Sequence, residues 1–251
     1  MRSRLTLPVI AGLAVIAALV VIVLTLRSSP SAPHAPAPAS TPATASNGQP
    51  HVSAAAGKDL QQAQKALMEK QYDAALAALN RVKAAPGKND YDQFLMNRFY
   101  FTAYVGLHNY QDAKPPLDAS LNSRFLKPDE QLKLVVTAAY LNYEVHDYGK
   151  AIEYGERAMS QGTMDSQLAT MVAQAHYQKL DWAGAERIEE KYVGYQVAAG
   201  AVPDKASLEL WSSACFKLRD NVCQMQALER LNAYYPSPQS QRLLNDLRGA
   251  R

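Results

Sequence analysis

The sequence predicts an all-α protein: about four to five repeated helix pairs, closed by a capping helix and preceded by one membrane-spanning helix and a Pro/Ala-rich linker. Three observations carry this. Beyond Gly57 the chain is rich in Ala, Leu, Gln, Glu and Lys and lacks β-branched runs, which favours helix throughout. An aromatic residue followed three places later by alanine recurs at Tyr72/Ala75, Tyr110/Ala113, Tyr148/Ala151 and Trp182/Ala185. The segment Leu5 to Leu26 is apolar apart from Thr6 and Thr25 and carries no charge.

That first segment, as a helix, reaches about 33 Å, enough for a hydrocarbon core of roughly 30 Å. Pro8 falls in its first turn, where a missing N–H does little damage. A cleaved secretory signal is the alternative, but its apolar region is normally shorter and runs directly into a small-residue cleavage site. Here Arg27, Ser28, Ser29 and Pro30 follow instead. Arg2 and Arg4 precede the span and only Arg27 follows it before Lys58, which places the N-terminus in the cytoplasm and the rest outside. The expected location is therefore a bacterial inner membrane, crossed once, with the C-terminal domain in the periplasm. The formal net charge of +3 resides in this flank: three of the 26 basic residues (Arg2, Arg4, Arg27) lie there and none of the 23 acidic ones. The remainder is neutral and shows no basic stripe, which argues against nucleic acid.

Residues 28–56 are almost entirely Ala, Pro, Ser and Thr, with prolines at 30, 33, 36, 38, 42 and 50. Such a stretch has nothing to bury against the entropy of ordering, and reads as a spacer with polyproline II character.

From 57 to 251 the helix pairs follow. Tyr72, Tyr110 and Tyr148 are each 38 residues apart, and Trp182 comes 34 later. Each opens a second helix, and upstream of each lies an amphipathic first helix: Asp59 to Lys70, Asp92 to Leu107, Pro128 to Val145 and Ser166 to Leu180. Pro115 and Pro116 intrude into the second helix of pair two, which is expected to start late or kink. A fifth pair, Ser207 to Leu218 and Val222 to Tyr235, puts Leu208, Trp211 and Cys215 on one face and Ala227, Leu228 and Leu231 inward. A last helix, Ser237 to Arg248, with Leu243, Leu244 and Leu247 on one side, has the polar outer face of a cap.

These openings and spacings resemble the tetratricopeptide repeat (TPR) over essentially the whole folded part, Gly57 to Leu247. The resemblance implies a small residue where the first helix meets the second. Ala63, Ala139 and Ala173 stand there and Phe101 departs from it. It also implies that Tyr100, Tyr104, Val135, Ala138, Val172 and His176 fill the inter-helix core. The family's Trp-x-x-Leu-Gly-x-x-Tyr run is not kept. Ligands of such proteins usually lie in a groove lined by first helices, which here carries Arg98, Thr102 and Val105, then Lys133, Val136, Tyr140 and Tyr143, then Gln167, Thr170, Gln174 and Tyr177. The set lacks a peptide-carboxylate clamp. Its tyrosines suit either a peptide groove or half-buried core.

Little in the chain points to chemistry. Cys215 and Cys223 flank the last intra-pair turn and either form a disulfide across the hairpin or remain one buried and one loop thiol. His108 and His146 share one repeat position, which favours a structural or solvated role, and His176 reads as a core histidine. Glu189-Glu190 and Asp129-Glu130 are adjacent carboxylates that diverge on a helix and are expected to be solvated. No metal-ligand spacing, phosphate loop or nucleophile motif stands out. The sequence thus predicts no enzyme, catalytic residue, cofactor or metal. It predicts an envelope scaffold or adaptor that binds a protein or peptide, with a self-associating solenoid or a glycan-binding module as alternatives.

Overall fold

The computed structural model describes residues 50–249, and the anchor span 5–26 and most of the expected linker lie outside them. Among the described residues all regular structure is helical and no helix is long and apolar enough to cross a membrane. Residues 50–127 and 128–249 form two compact units.

The first unit holds α1 (Ala54–Met68), α2 (Tyr72–Ala84), α3 (Asp90–Gly106) and α4 (Tyr110–Leu121). The second holds α5 (Pro128–Glu144), α6 (Tyr148–Ser160), α7 (Ser166–Gln178), α8 (Trp182–Ala198), α9 (Lys205–Leu218), α10 (Asn221–Tyr234) and α11 (Pro238–Gly249). Within each unit every helix packs on its sequence neighbour. First helices also meet first helices: α1 with α3, α5 with α7, and α7 with α9. That is the stacking of helix pairs expected from the repeat.

The turn inside each pair shows why the sequence repeats there. Lys70, His108, His146, Leu180 and Arg219 all adopt the left-handed conformation, with φ between 57° and 61°. In every case the next N–H reaches back five residues, as in Asn109 N to Tyr104 O at 2.8 Å and Asp181 N to His176 O at 3.0 Å. This bond, a Schellman closure, satisfies a carbonyl that the helix end would otherwise orphan. The following Asn109, Asp147, Asp181 and Asp220 then cap the second helix through their side chains. His108 and His146 bond through Nδ1 to the hydroxyls of Tyr110 and Tyr148, at 2.9 Å each. The recurring histidines brace the turn while remaining exposed, within the structural or solvated role that their shared position implied.

None of these five turn residues is glycine, although only glycine enters this region without cost. Leu180, with φ 61° and 70% exposed, has no packing to lose. Leu180→Gly is expected to stabilise the protein by about 0.5–1 kcal/mol, net of the greater entropy of glycine in the unfolded chain. Urea unfolding of the pair of proteins measures this, and an unchanged or lower midpoint refutes it.

The recurring alanines Ala75, Ala113, Ala151 and Ala185 are fully buried, as are Ala63, Ala139 and Ala173 on the first helices. Four residues beyond each second-helix alanine comes another buried site: Leu79, Leu117, Gly155 and Glu189, with Leu228 in the same register of the fifth pair. At Gly155 a Cβ would collide with Val172 Cγ2, so the valine of α7 fills the room that leucine takes elsewhere. Of the expected inter-helix core, Tyr100, Val135, Ala138, Val172 and His176 are buried and Tyr104 is half-buried.

Three expectations are corrected. The helix containing Pro115 and Pro116 does not start late: α4 begins at Tyr110, in register with the other second helices, and continues through both prolines. Buried Ala113 and Leu117 fix its inner face, while the prolines fall on the half-buried to exposed side. In the capping helix Leu244 is buried and Leu247 packs on the core, but Leu243 is 43% exposed. Helix α1 begins at Ala54, before Gly57. Ser53 caps it, and the Ser53 N–H donates to Asp92 Oδ1 at 3.0 Å. Asp92 also accepts from the Asn89 N–H in the capping box of α3, so one buried carboxylate holds the starts of two helices.

Candidate functional site

The predicted first-helix row divides between the two units. In the first, Arg98 and Thr102 are buried, 6% and 3% exposed, and the Thr102 hydroxyl donates to the Arg98 carbonyl at 3.0 Å. In the second, Lys133 is exposed on α5 while Tyr140 is only 4% exposed. Burial raises the Tyr140 phenol well above the usual tyrosine range, with Asp165 adding to it. Tyr140 lies beside Ala139, the small contact residue of its helix, and belongs to the packed interior. Tyr143, half-buried, is pushed up to about 12 by burial first and then by Tyr148 and Glu144.

What the second unit brings together is a ladder between successive first helices. Tyr143 of α5 donates to Gln174 Oε1 of α7 at 3.0 Å. Thr170 of α7 pairs with Ser207 of α9 at 3.4 Å, and Tyr177 with Ser213 at 3.1 Å. Thr170, Gln174 and Tyr177 are spaced four and three apart, so they share one stripe of α7. Tyr177 packs edge-on against Trp182 with ring centres 4.5 Å apart, and Lys217 Nζ lies 5.7 Å from the Trp182 ring. Tyr143, Thr170, Gln174, Tyr177 and Ser213 are half-buried, and Lys133 and Gln167 are exposed. The stripe therefore presents hydroxyls, amides and aromatic edges in a line, with few fixed charges.

No protein-family profile matches the chain, and no curated protein is similar to it in sequence. Among solved structures it is similar to MamA of AMB-1, with a TM-score of 0.47 and 12% identity, covering 71% of this chain and 95% of that one. It is also similar to PilF of Pseudomonas aeruginosa, with a TM-score of 0.38 and 13% identity, covering 78% of this chain and 98% of that one. At such identity and overlap these likenesses assign no role to any residue here. The all-helical, paired arrangement is consistent with the tetratricopeptide family, and it is the chain's own register that makes it so.

Three further side-chain groups stand out in the second unit. Buried His176 meets Asp181 Oδ2 through Nδ1 at 2.7 Å and Glu156 Oε1 through Nε2 at 3.3 Å, and Arg187 donates to the same Glu156 oxygen at 2.7 Å. The Gly184 N–H is the main influence holding the Asp181 carboxyl below its usual range, despite some desolvation, with His176 and Arg187 assisting. Burial pushes the Glu156 carboxyl up, but Arg187 and His176 outweigh it and hold it low. Cys215 and Cys223 are joined as a disulfide with Cα atoms 5.6 Å apart.

The third group corrects the sequence reading. Glu190, Asp129 and Glu130 reach solvent to differing degrees, but Glu189 is completely buried. It occupies the core position held by leucine in three of the other pairs, and neither carboxyl oxygen has a hydrogen-bond partner among the described residues. Its surroundings hold a second acid. Asp204, at the N-cap of α9, makes no side-chain cap and instead accepts from Ser166 Oγ at 2.6 Å, Gln196 Nε2 at 3.0 Å and the Tyr192 hydroxyl at 3.2 Å. The signal was present in the sequence: counting four from Ala185, as Leu79 follows Ala75, lands on Glu189.

Proposed function

We propose that the protein is a membrane-anchored scaffold of the bacterial envelope that binds an extended segment of a protein partner along the first-helix row of its second unit. The ladder Tyr143–Gln174, Thr170–Ser207 and Tyr177–Ser213 carries this reading. An extended peptide presents donors and acceptors at regular intervals. A line of half-buried hydroxyls and amides meets them without the desolvation cost of fixed charges. The tyrosines add contact area at low conformational entropy. The apolar, uncharged run at 5–26 supplies the anchor, and Arg2 and Arg4 before it, against Arg27 after it, orient it with the helix pairs in the periplasm. A disulfide in the last pair fits an oxidising compartment.

A photocrosslinking residue at Lys133 or Gln174, with the product identified by mass spectrometry, tests the reading in cells. One partner is expected from both positions, with the yield reduced at least several-fold by Tyr177→Ala and no product from exposed Glu153 on α6. If the protein traps only itself, the self-associating alternative replaces this one. Equal capture from Glu153 removes the row as the binding face. An alkaline phosphatase fusion at the C-terminus is expected to be active, and an inactive fusion overturns the topology.

A further inference from the structure

Glu189 has no place in the peptide-binding reading, yet it is the most unusual side chain in the second unit. A fully buried carboxyl whose oxygens make no close hydrogen bond, with only the Ser207 hydroxyl near enough to act on it, remains ionised only at a large desolvation penalty. The groups facing it sharpen the point. From α9 come the Asp204 carboxylate and the fully buried Ser207 hydroxyl. On α8 itself Tyr192 and Gln196 are turned to Asp204. Lys205, the nearest cation in sequence to Asp204, is exposed and reaches Glu209 at 3.5 Å. The charge that acts on Glu189, that of Asp204, is therefore of its own sign.

We propose that Glu189 is a proton-binding site: the folded second unit takes up one proton there as α8 packs against α9, and gives it up when that packing opens. Ser207 makes the charge state felt beyond the site. Its single hydroxyl proton serves either Thr170, 3.4 Å away in the first-helix ladder, or an ionised Glu189. Loss of the Glu189 proton draws Ser207 inward and leaves Thr170 to donate. The proton site stands whether or not the ladder binds a partner.

The sign follows from the two states. Burial pushes the folded carboxyl up to about 8 from the unperturbed 4.5; a Ser207 hydrogen bond opposes it and Asp204, a smaller influence, adds to it. Below about 4.5 both states hold the proton and the stability associated with it is fully present. It declines as pH rises toward 8 and is gone above that. Across the window the unfolding equilibrium constant rises by up to about tenfold per pH unit, the limit for one proton. Asp181 and Glu156, held low, act on the opposite side, losing their contribution as pH falls through their folded values.

Urea unfolding of the full chain at pH 6, 7, 8 and 9, read by tryptophan fluorescence, tests this. Both tryptophans, Trp182 and Trp211, lie in the second unit. The wild-type midpoint is expected to fall steadily from pH 6 to 8 and then level. Glu189→Gln is expected to flatten the fall, and because every other ionisable group is common to both proteins, the difference isolates Glu189. Parallel profiles overturn the proposal. Where the glutamine variant fails to fold, Glu189→Leu supplies the residue found at Leu79, Leu117 and Leu228. The carboxyl ¹³C resonance missing from that variant then gives the direct answer: a wild-type midpoint near 8 supports the proton site, and one near 4.5 excludes it.

Discussion

Reduction of the Cys215–Cys223 bond is expected to destabilise the second unit by about 2–3 kcal/mol while leaving residues 50–127 unaffected. The two cysteines are 8 residues apart, so the bond closes a short loop and removes a modest amount of unfolded-chain entropy. It also ties the end of α9 to the start of α10 beside the αL turn at Arg219, the last turn of the ladder of helix pairs. Cys215 is fully buried in one cluster with Trp211, Leu208 and Leu228, so the crosslink is anchored in core at one end. The double variant Cys215→Ala, Cys223→Ala separates the covalent term from reductant side effects. Its urea midpoint, followed by tryptophan fluorescence, should match that of the reduced wild type. If reduction shifts nothing, the hairpin is held by packing alone. The same bond gives a readout of compartment: thiol alkylation before lysis is expected to leave both cysteines unmodified, and full modification in living cells contradicts export.

The parts of this fold that could be read in the sequence are those governed by spacing. An aromatic at the first turn of a second helix and an alanine one turn later follow from how closely two helices can approach, and both recur because the approach recurs. Element boundaries followed for the same reason: α5 and α7 begin at Pro128 and Ser166 as expected. What spacing did not disclose were residues whose role contradicts their type. Leu180, His108 and Lys70 hold a conformation usually given to glycine, so nothing about their identity announces the turn. Glu189 looks like half of a solvated acidic pair, and only the register shows it standing in the core. Pro115 and Pro116 ordinarily interrupt a helix, but Ala113 and Leu117 pack the helix that contains them. The candidate row was legible only in outline. Tyr140 and Tyr143 are three apart on α5 and equally suited to a groove by type, yet one is interior and the other forms the first rung of the ladder. Side-chain depth on a single helix depends on the helices that cover it, which one sequence cannot convey.

Gly184→Ala is expected to lower the stability of the second unit by about 2 kcal/mol, the opposite of what helix propensity alone predicts. In an unobstructed helix the change would gain up to about 1 kcal/mol. Here a Cβ would fall on His176 Nδ1 and Asp181 Oδ2. Neither neighbour can yield cheaply. His176 is a buried ring fixed at both nitrogens, by Asp181 and by Glu156. Asp181 caps α8 by accepting from the Gly184 N–H itself at 2.9 Å. Moving the ring strands a polar group in the core, and moving the carboxylate forfeits the cap, worth about 1 kcal/mol. Overpacking adds roughly 1–3 kcal/mol, which exceeds the propensity gain. Glycine is required at 184 because the loop of α7 and the start of α8 close around one histidine, not because the backbone is strained: Gly184 sits in regular helix. The companion change His176→Ala removes the ring and frees the Asp181 Oδ2 it holds to swing aside, so the cost of Gly184→Ala in that background should shrink markedly. Additive losses in the double-mutant cycle would show that the two residues do not meet and that the tight packing of α7 on α8 lies elsewhere.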